Sequence, residues 1–121
     1  MRAAGTALSQ LGYAVWSVEY RSTGDDGGGW PGTYDDVVSA INFSQNLSQY
    51  GVTSDSISLV GHSAGGHLVA LVGTEHDALE VPLDRVISLA GITRVPDYAE
   101  DTSAQPGGIM ELCQNLLTDF V

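Results

Sequence analysis

Ser63 sits between two glycines, in the run Gly61-His62-Ser63-Ala64-Gly65, directly after the β-branched stretch Ile57 to Val60. Leu68, Val69, Leu71 and Val72 follow at the spacings of a buried helix. A serine in so sharp a strand-to-helix turn has its hydroxyl exposed above the strand ends, where a carbonyl can reach it. The chemistry this suits is acyl transfer. The serine oxygen attacks, and the first free N–H groups of the helix face the oxygen that becomes negative. The elbow glycines, Gly61 and Gly65, are expected to be steric requirements, since a Cβ at either place would collide with the neighbouring strand or helix. A plain tight strand-to-helix turn is the competing reading, and the apolar pattern on both sides favours the reactive serine.

Such a serine needs a histidine within hydrogen-bond reach, held by a carboxylate. His62 adjoins Ser63, where chain geometry sends neighbouring side chains apart. His67 lies one helical turn along and is expected against the sheet. His76 lies near the far end of the helix, roughly 18 Å away at 1.5 Å per residue. All three read as structural or surface histidines. Asp97 and Asp101, beyond the third expected strand, are the acids that could reach the active face.

A second glycine pattern competes for attention. Gly27-Gly28-Gly29-Trp30-Pro31-Gly32 satisfies G-x-G-x-x-G, between an expected strand and an expected helix. In a dinucleotide fingerprint the pyrophosphate rests on free N–H groups at the helix start. Here the strand ends several residues too early, Pro31 has no N–H to give, and Asp25, Asp26, Asp35 and Asp36 would repel the phosphates. No nucleotide, other cofactor or metal is expected.

The elements that would position Ser63 follow from periodicity and punctuation. Ala3, Ala7, Leu8 and Leu11 recur at helical spacing, closed by Gly12. Tyr13 to Val18 reads as a buried strand, continuing to Arg21. Thr33 and Asp36 resemble a capping box opening a helix whose apolar face is Val37, Val38, Ile41 and Leu47, ended by Gly51. The strand before Ser63 and a third strand, Val86 to Ala90, complete an alternation of helix and strand. That order predicts an α/β fold, three layers (α/β/α) around a parallel sheet. Ile109, Leu112, Cys113, Leu116, Leu117 and Phe120 mark a last amphipathic helix.

The 121 residues suffice for one modest domain. Fifteen acidic residues against four arginines, with no lysine, give a net charge of −11, which would repel a phosphate backbone, so nucleic acid is not an expected partner. No apolar run is long enough to cross a bilayer, and the start lacks the apolar stretch of a signal peptide, so no membrane contact is expected; the compartment stays open, with the cytoplasm favoured. The single cysteine, Cys113, excludes an internal disulfide and reads as a buried thiol.

From Gly12 to His67 the chain resembles the α/β-hydrolase superfamily, in its small esterase-like and formamidase-like branch. The likeness rests on Gly12-Tyr13-Ala14-Val15, Val18-Glu19-Tyr20-Arg21, Gly28-Gly29-Trp30-Pro31-Gly32-Thr33 with Asp36-Val37, and Gly61-His62-Ser63-Ala64-Gly65-Gly66-His67. The resemblance implies Ser63 as nucleophile and the Ala64 N–H as one oxyanion donor, acting on a small ester or amide through an acyl-enzyme. Trp30, Tyr34 and His62 are candidate pocket-lining residues. Members of that branch carry a His-Gly-Gly loop ahead of the first helix, and an acid and histidine after two further strands. The expectation is therefore a central segment of an incomplete α/β-hydrolase domain, inactive by itself and able to self-associate through its incomplete sheet. The alternative is a remnant that keeps the fold for ligand or partner binding.

Overall fold

A computed structural model describes residues 2–52 and 56–93. The expected helix over 109–120, with Cys113, and the acids Asp97 and Asp101 lie outside the described residues.

Helix α1, Arg2–Gln10, ends just before Gly12, the stop its sequence provides. Gly12 takes φ +91°, its N–H donates to the Ser9 carbonyl, and the Tyr13 N–H donates to that of Leu8. Those two bonds satisfy carbonyls the helix leaves open, and the left-handed turn suits a residue without a Cβ. Helix α2, Gly32–Phe43, passes into a 3-10 segment, Ser44–Tyr50. Gly51, at φ +80°, closes it by the same pair of bonds, to Ser48 and Leu47.

The capping box expected at Thr33 does not form. Pro31 precedes the helix and Thr33 lies within its first turn. Its hydroxyl accepts from the Gly29 N–H and donates to the Arg21 carbonyl, while Asp36 turns outward to Arg21. Arg21, fifteen residues upstream, outcompetes the local cap because a guanidinium meets both oxygens of a carboxylate at once.

Strand β1, Ser58–His62, leads to helix α3, Ala64–Thr74, and then to strand β2, Arg85–Leu89. The strands pair in parallel, Ser58 opposite Arg85 through His62 opposite Leu89. Side chains alternate across a strand. Val86 and Ser88 meet α3, where Val86 packs beside Gly73 and the Ser88 hydroxyl bonds the Gly66 carbonyl. Val60, Ile87 and Leu89 are exposed.

The core lies between α2 and α3. Tyr34, Val37 and Ile41 recur three and four residues apart on α2, and Leu68 and Val72 four apart on α3, so each helix presents one apolar stripe. Val72 is fully buried. Tyr20, Leu59, Leu71, Leu79, Val81 and Leu83 close around this cluster.

Tyr13 to Val18 is not a strand. It makes no ladder, and Tyr13, Val15, Trp16 and Val18 are exposed. The segment leans on helices instead, with Val15 beside Gly5 of α1 and the Trp16 ring 5.1 Å from that of Phe43. Strand propensity is realised only where a partner edge is available. Among the described residues the ladder is β1 with β2 alone. The observed architecture is accordingly partial α/β: helices with a two-stranded parallel sheet.

Candidate active site

Ser63 is the single residue between β1 and α3, at φ +55° and ψ −117°. Few non-glycine residues occupy the positive-φ region, and one held there by its surroundings stores strain on the order of 1–3 kcal/mol. The surroundings are evident. The Ser63 N–H donates to the Leu89 carbonyl at 2.9 Å, and the Ser63 carbonyl accepts the His67 N–H at 3.0 Å, a first bond of α3. The residue is thus pinned at once to the sheet and to the helix, and its side chain is exposed. Its hydroxyl does not cap the helix. It lies at the carboxyl ends of both parallel strands, where the N-terminus of α3 also points.

The glycines divide differently from expectation. A Cβ on Gly61 would overlap the Gly65 carbonyl oxygen and stand 2.8 Å from the Gly66 nitrogen, so Gly61 is required. A Cβ on Gly65 would meet only the Tyr20 hydroxyl, at 3.8 Å, an ordinary contact. The collision expected at Gly65 is therefore absent. The second steric requirement falls on Gly66, whose Cβ would stand 2.9 Å from the Gly91 Cα and 3.0 Å from the Leu89 carbonyl oxygen. A helix crossing a strand end this closely needs glycine on the helix, and position 66 is the one that turns inward. The adjacent glycine in Gly65-Gly66 and the glycine after β2 were the available signal.

His62 is the last residue of β1, opposite Leu89, and is exposed. His67 places Nδ1 2.6 Å from the Ile92 carbonyl oxygen. A carbonyl can only accept, so Nδ1 carries the proton, and the ring ties the first turn of α3 to the chain beyond β2. His76 begins a short 3-10 turn past the end of α3. Among the described residues no side chain hydrogen-bonds the Ser63 hydroxyl.

Tyr34 is buried in the core, and its hydroxyl donates to the Glu75 carbonyl at 3.3 Å, near the far end of α3. Trp30 is half-exposed and lies with its ring 5.3 Å from that of Tyr34. Its loop is held by Arg21. The Arg21 backbone N–H and Nε both donate to Asp36 Oδ2 at 2.9 Å, and Nη2 donates to Oδ1 at 2.8 Å and to the Gly32 carbonyl at 3.3 Å. These donors hold the Asp36 carboxyl down at about 2, against an ordinary 3.8. The loop is thereby tied to α2 through Arg21, which bonds both Asp36 and the Gly32 carbonyl.

One hollow, of about 550 Å³, is lined by residues including Leu79, Pro82, Leu83 and Val86 at the amino end of β2, away from Ser63. A second, of about 530 Å³, opens beside Tyr20, Arg21 and Asp36. Among the described residues no cluster of His, Cys, Asp and Glu could hold a metal ion, and no helix is long and apolar enough to cross a membrane.

A parallel strand pair, a helix packed across it and a positive-φ serine at the junction together define an α/β-hydrolase-like segment. The chain belongs to the BD-FAE family, whose model matches residues 1–102 and which is an α/β-hydrolase-like esterase family. No curated protein and no solved structure gives a match.

Proposed function

We propose that Ser63 is the nucleophile of a serine hydrolase that cleaves carboxylic esters or amides through an acyl-enzyme. The observation that carries this reading is the exposed serine at φ +55°, held between the Leu89 carbonyl and the first turn of α3, in a member of an esterase family. The Ser63 oxygen attacks the substrate carbonyl while a general base removes its proton. The oxyanion that forms faces the start of α3, where the Ala64 N–H donates to it. The leaving alcohol or amine departs with a proton, and water then releases the acid. The finer architecture, a three-layer α/β/α hydrolase domain of which this chain is the nucleophile-bearing part, belongs to the same proposal.

In this reading the base comes from outside the described residues. No described side chain bonds the Ser63 hydroxyl, and the Nδ1–H of His67 is given to the Ile92 carbonyl, which ties that ring to the chain beyond β2. The 121-residue chain is therefore expected to turn over activated esters barely or not at all. That same observation favours the second reading, a family member that keeps the fold for binding alone. The test is p-nitrophenyl acetate turnover by the purified chain and by a chain extended at both ends along its reading frame, each beside Ser63→Ala. Turnover that appears in the extended chain and vanishes with Ser63→Ala supports the hydrolase. Turnover indifferent to Ser63→Ala overturns it.

A further inference from the structure

Gly65 lacks a reason of its own. Its neighbours Gly61 and Gly66 are fixed by collisions with backbone, whereas a Cβ at 65 would meet nothing but the Tyr20 hydroxyl at 3.8 Å. Nor does its backbone take the left-handed conformation that favours glycine. The glycine leaves a small open space, one residue beyond Ala64 and two beyond Ser63, with a phenol hydroxyl on its other side.

That hydroxyl is in an unusual position for a polar group. The Tyr20 ring packs against the Tyr34, Val37, Ile41, Leu68 and Val72 cluster, which fixes its direction. Among the described residues its oxygen has no hydrogen-bond partner. Tyr20 also lines the hollow formed with Glu19, Arg21, Asp25, Asp36 and Ser39, so its surroundings are open on that side. A half-buried tyrosine whose ring packs on the core and whose hydroxyl has no described partner is a donor available to an acceptor. Burial pushes the phenol above its usual range, so it stays protonated and able to donate.

We infer that Tyr20 is a substrate-contacting residue of the Ser63 site, its hydroxyl donating to an oxygen of the bound ester group across the space that Gly65 leaves clear. The inference rests on the Ser63 reading and deepens it. No covalent step is assigned to Tyr20. It orients the acyl compound, and Gly65 is glycine because a methyl there would fill the space in which the ester oxygen meets the phenol.

Within these 121 residues no lysine ε-amine competes with Ser63 for an acyl reagent, so the peptides that carry the site map directly. The chain extended at both ends along its reading frame is incubated with excess p-nitrophenyl acetate, and the rate of acetylation at Ser63 is followed by peptide mass mapping in wild type, Tyr20→Phe and Gly65→Ala. Loss of one hydrogen bond of ordinary strength slows acetylation by about 3- to 10-fold in Tyr20→Phe, with the melting temperature nearly unchanged. Equal Ser63 acetylation in wild type and Tyr20→Phe overturns the Tyr20 assignment and leaves the Ser63 reading standing. If Tyr20→Phe does not fold, Gly65→Ala decides: slower acetylation in a folded protein supports the shared space, and an unchanged rate overturns it. Acetylation confined to sites other than Ser63 overturns the Ser63 reading, and the Tyr20 role with it.

Discussion

The Ser63 N–H donates to the Leu89 carbonyl at 2.9 Å, one step past His62 and Leu89, the last pair of the β1–β2 ladder. The turn that exposes the serine is thus an extension of the sheet rather than a free loop. A change that loosens β2 or the first turn of α3 is felt at Ser63.

The three glycines at the junction should separate cleanly. Gly61→Ala and Gly66→Ala each force a methyl into backbone, and overpacking of this kind costs about 1–3 kcal/mol or more. Gly65→Ala meets only an ordinary contact and sits inside a helix, where alanine is favoured over glycine by up to about 1 kcal/mol. Urea unfolding midpoints should fall for the first two and hold or rise for the third. A Gly65→Ala midpoint as low as the others would refute the assignment of the second steric requirement to Gly66.

Ser88 contributes a bond across the same junction, its hydroxyl donating to the Gly66 carbonyl at 2.9 Å. Ser88→Ala removes the donor while keeping the Cβ, and a bond of this type contributes about 1 kcal/mol. The expected outcome is a lower unfolding midpoint, accompanied by faster amide exchange at Ser63 as its anchor to β2 loosens. Exchange at Ser63 unchanged in a destabilised Ser88→Ala protein would place the effect elsewhere.

Acid should act on the Arg21–Asp36 pair. The Asp36 carboxyl falls from 3.8 to about 2 on folding, first through the side-chain hydrogen bond from Arg21 and then through the Arg21 N–H. A depressed folded value means the pair's contribution is fully present above 3.8 and is lost as pH falls through 2. Asp36→Asn should therefore be less stable than wild type at neutral pH, with the difference narrowing between roughly pH 4 and pH 2. Trp30 fluorescence, read in a Trp16→Phe background, reports on the loop; a difference independent of pH over that range would contradict the linkage.

The exposed apolar residues on the sheet and the unpaired segment before Arg21 point to association. Val60, Ile87 and Leu89 are each about two-fifths exposed, and Val15, Trp16 and Val18 add a second apolar strip. Among the described residues β1 has a ladder partner on one side only, and its other edge is a template for another strand, whether from a second copy or from more of the same polypeptide. The isolated 121-residue chain should bind the dye ANS and sediment as concentration-dependent oligomers. A monomer that melts in a sharp two-state transition without dye binding would overturn this.

Much of this was legible in the residues, and the reason differs from element to element. Gly12 and Gly51 end helices because left-handed backbone suits a missing Cβ, a local fact that needs no neighbours. Val37 and Ile41 on α2, and Leu68 and Val72 on α3, were readable because burial imposes a period on the chain, whereas Tyr34, expected as a pocket wall, joins their core cluster. The strand–serine–helix order around Ser63 came from the same local rules. Tyr13 to Val18 shows the limit. Its β-branched and aromatic residues are those of a strand, yet a strand exists only as one side of a ladder, and the partner edge is a tertiary matter. Thr33 and Asp36 failed as a cap for the same kind of reason, since Arg21 arrives from fifteen residues away and binds the carboxylate more strongly than the local N–H groups. Which glycine is indispensable was likewise undecidable along the chain. Gly65 and Gly66 are adjacent and alike in sequence, and only the approach of Gly91 from the end of β2 makes the second one obligatory and leaves the first facing Tyr20.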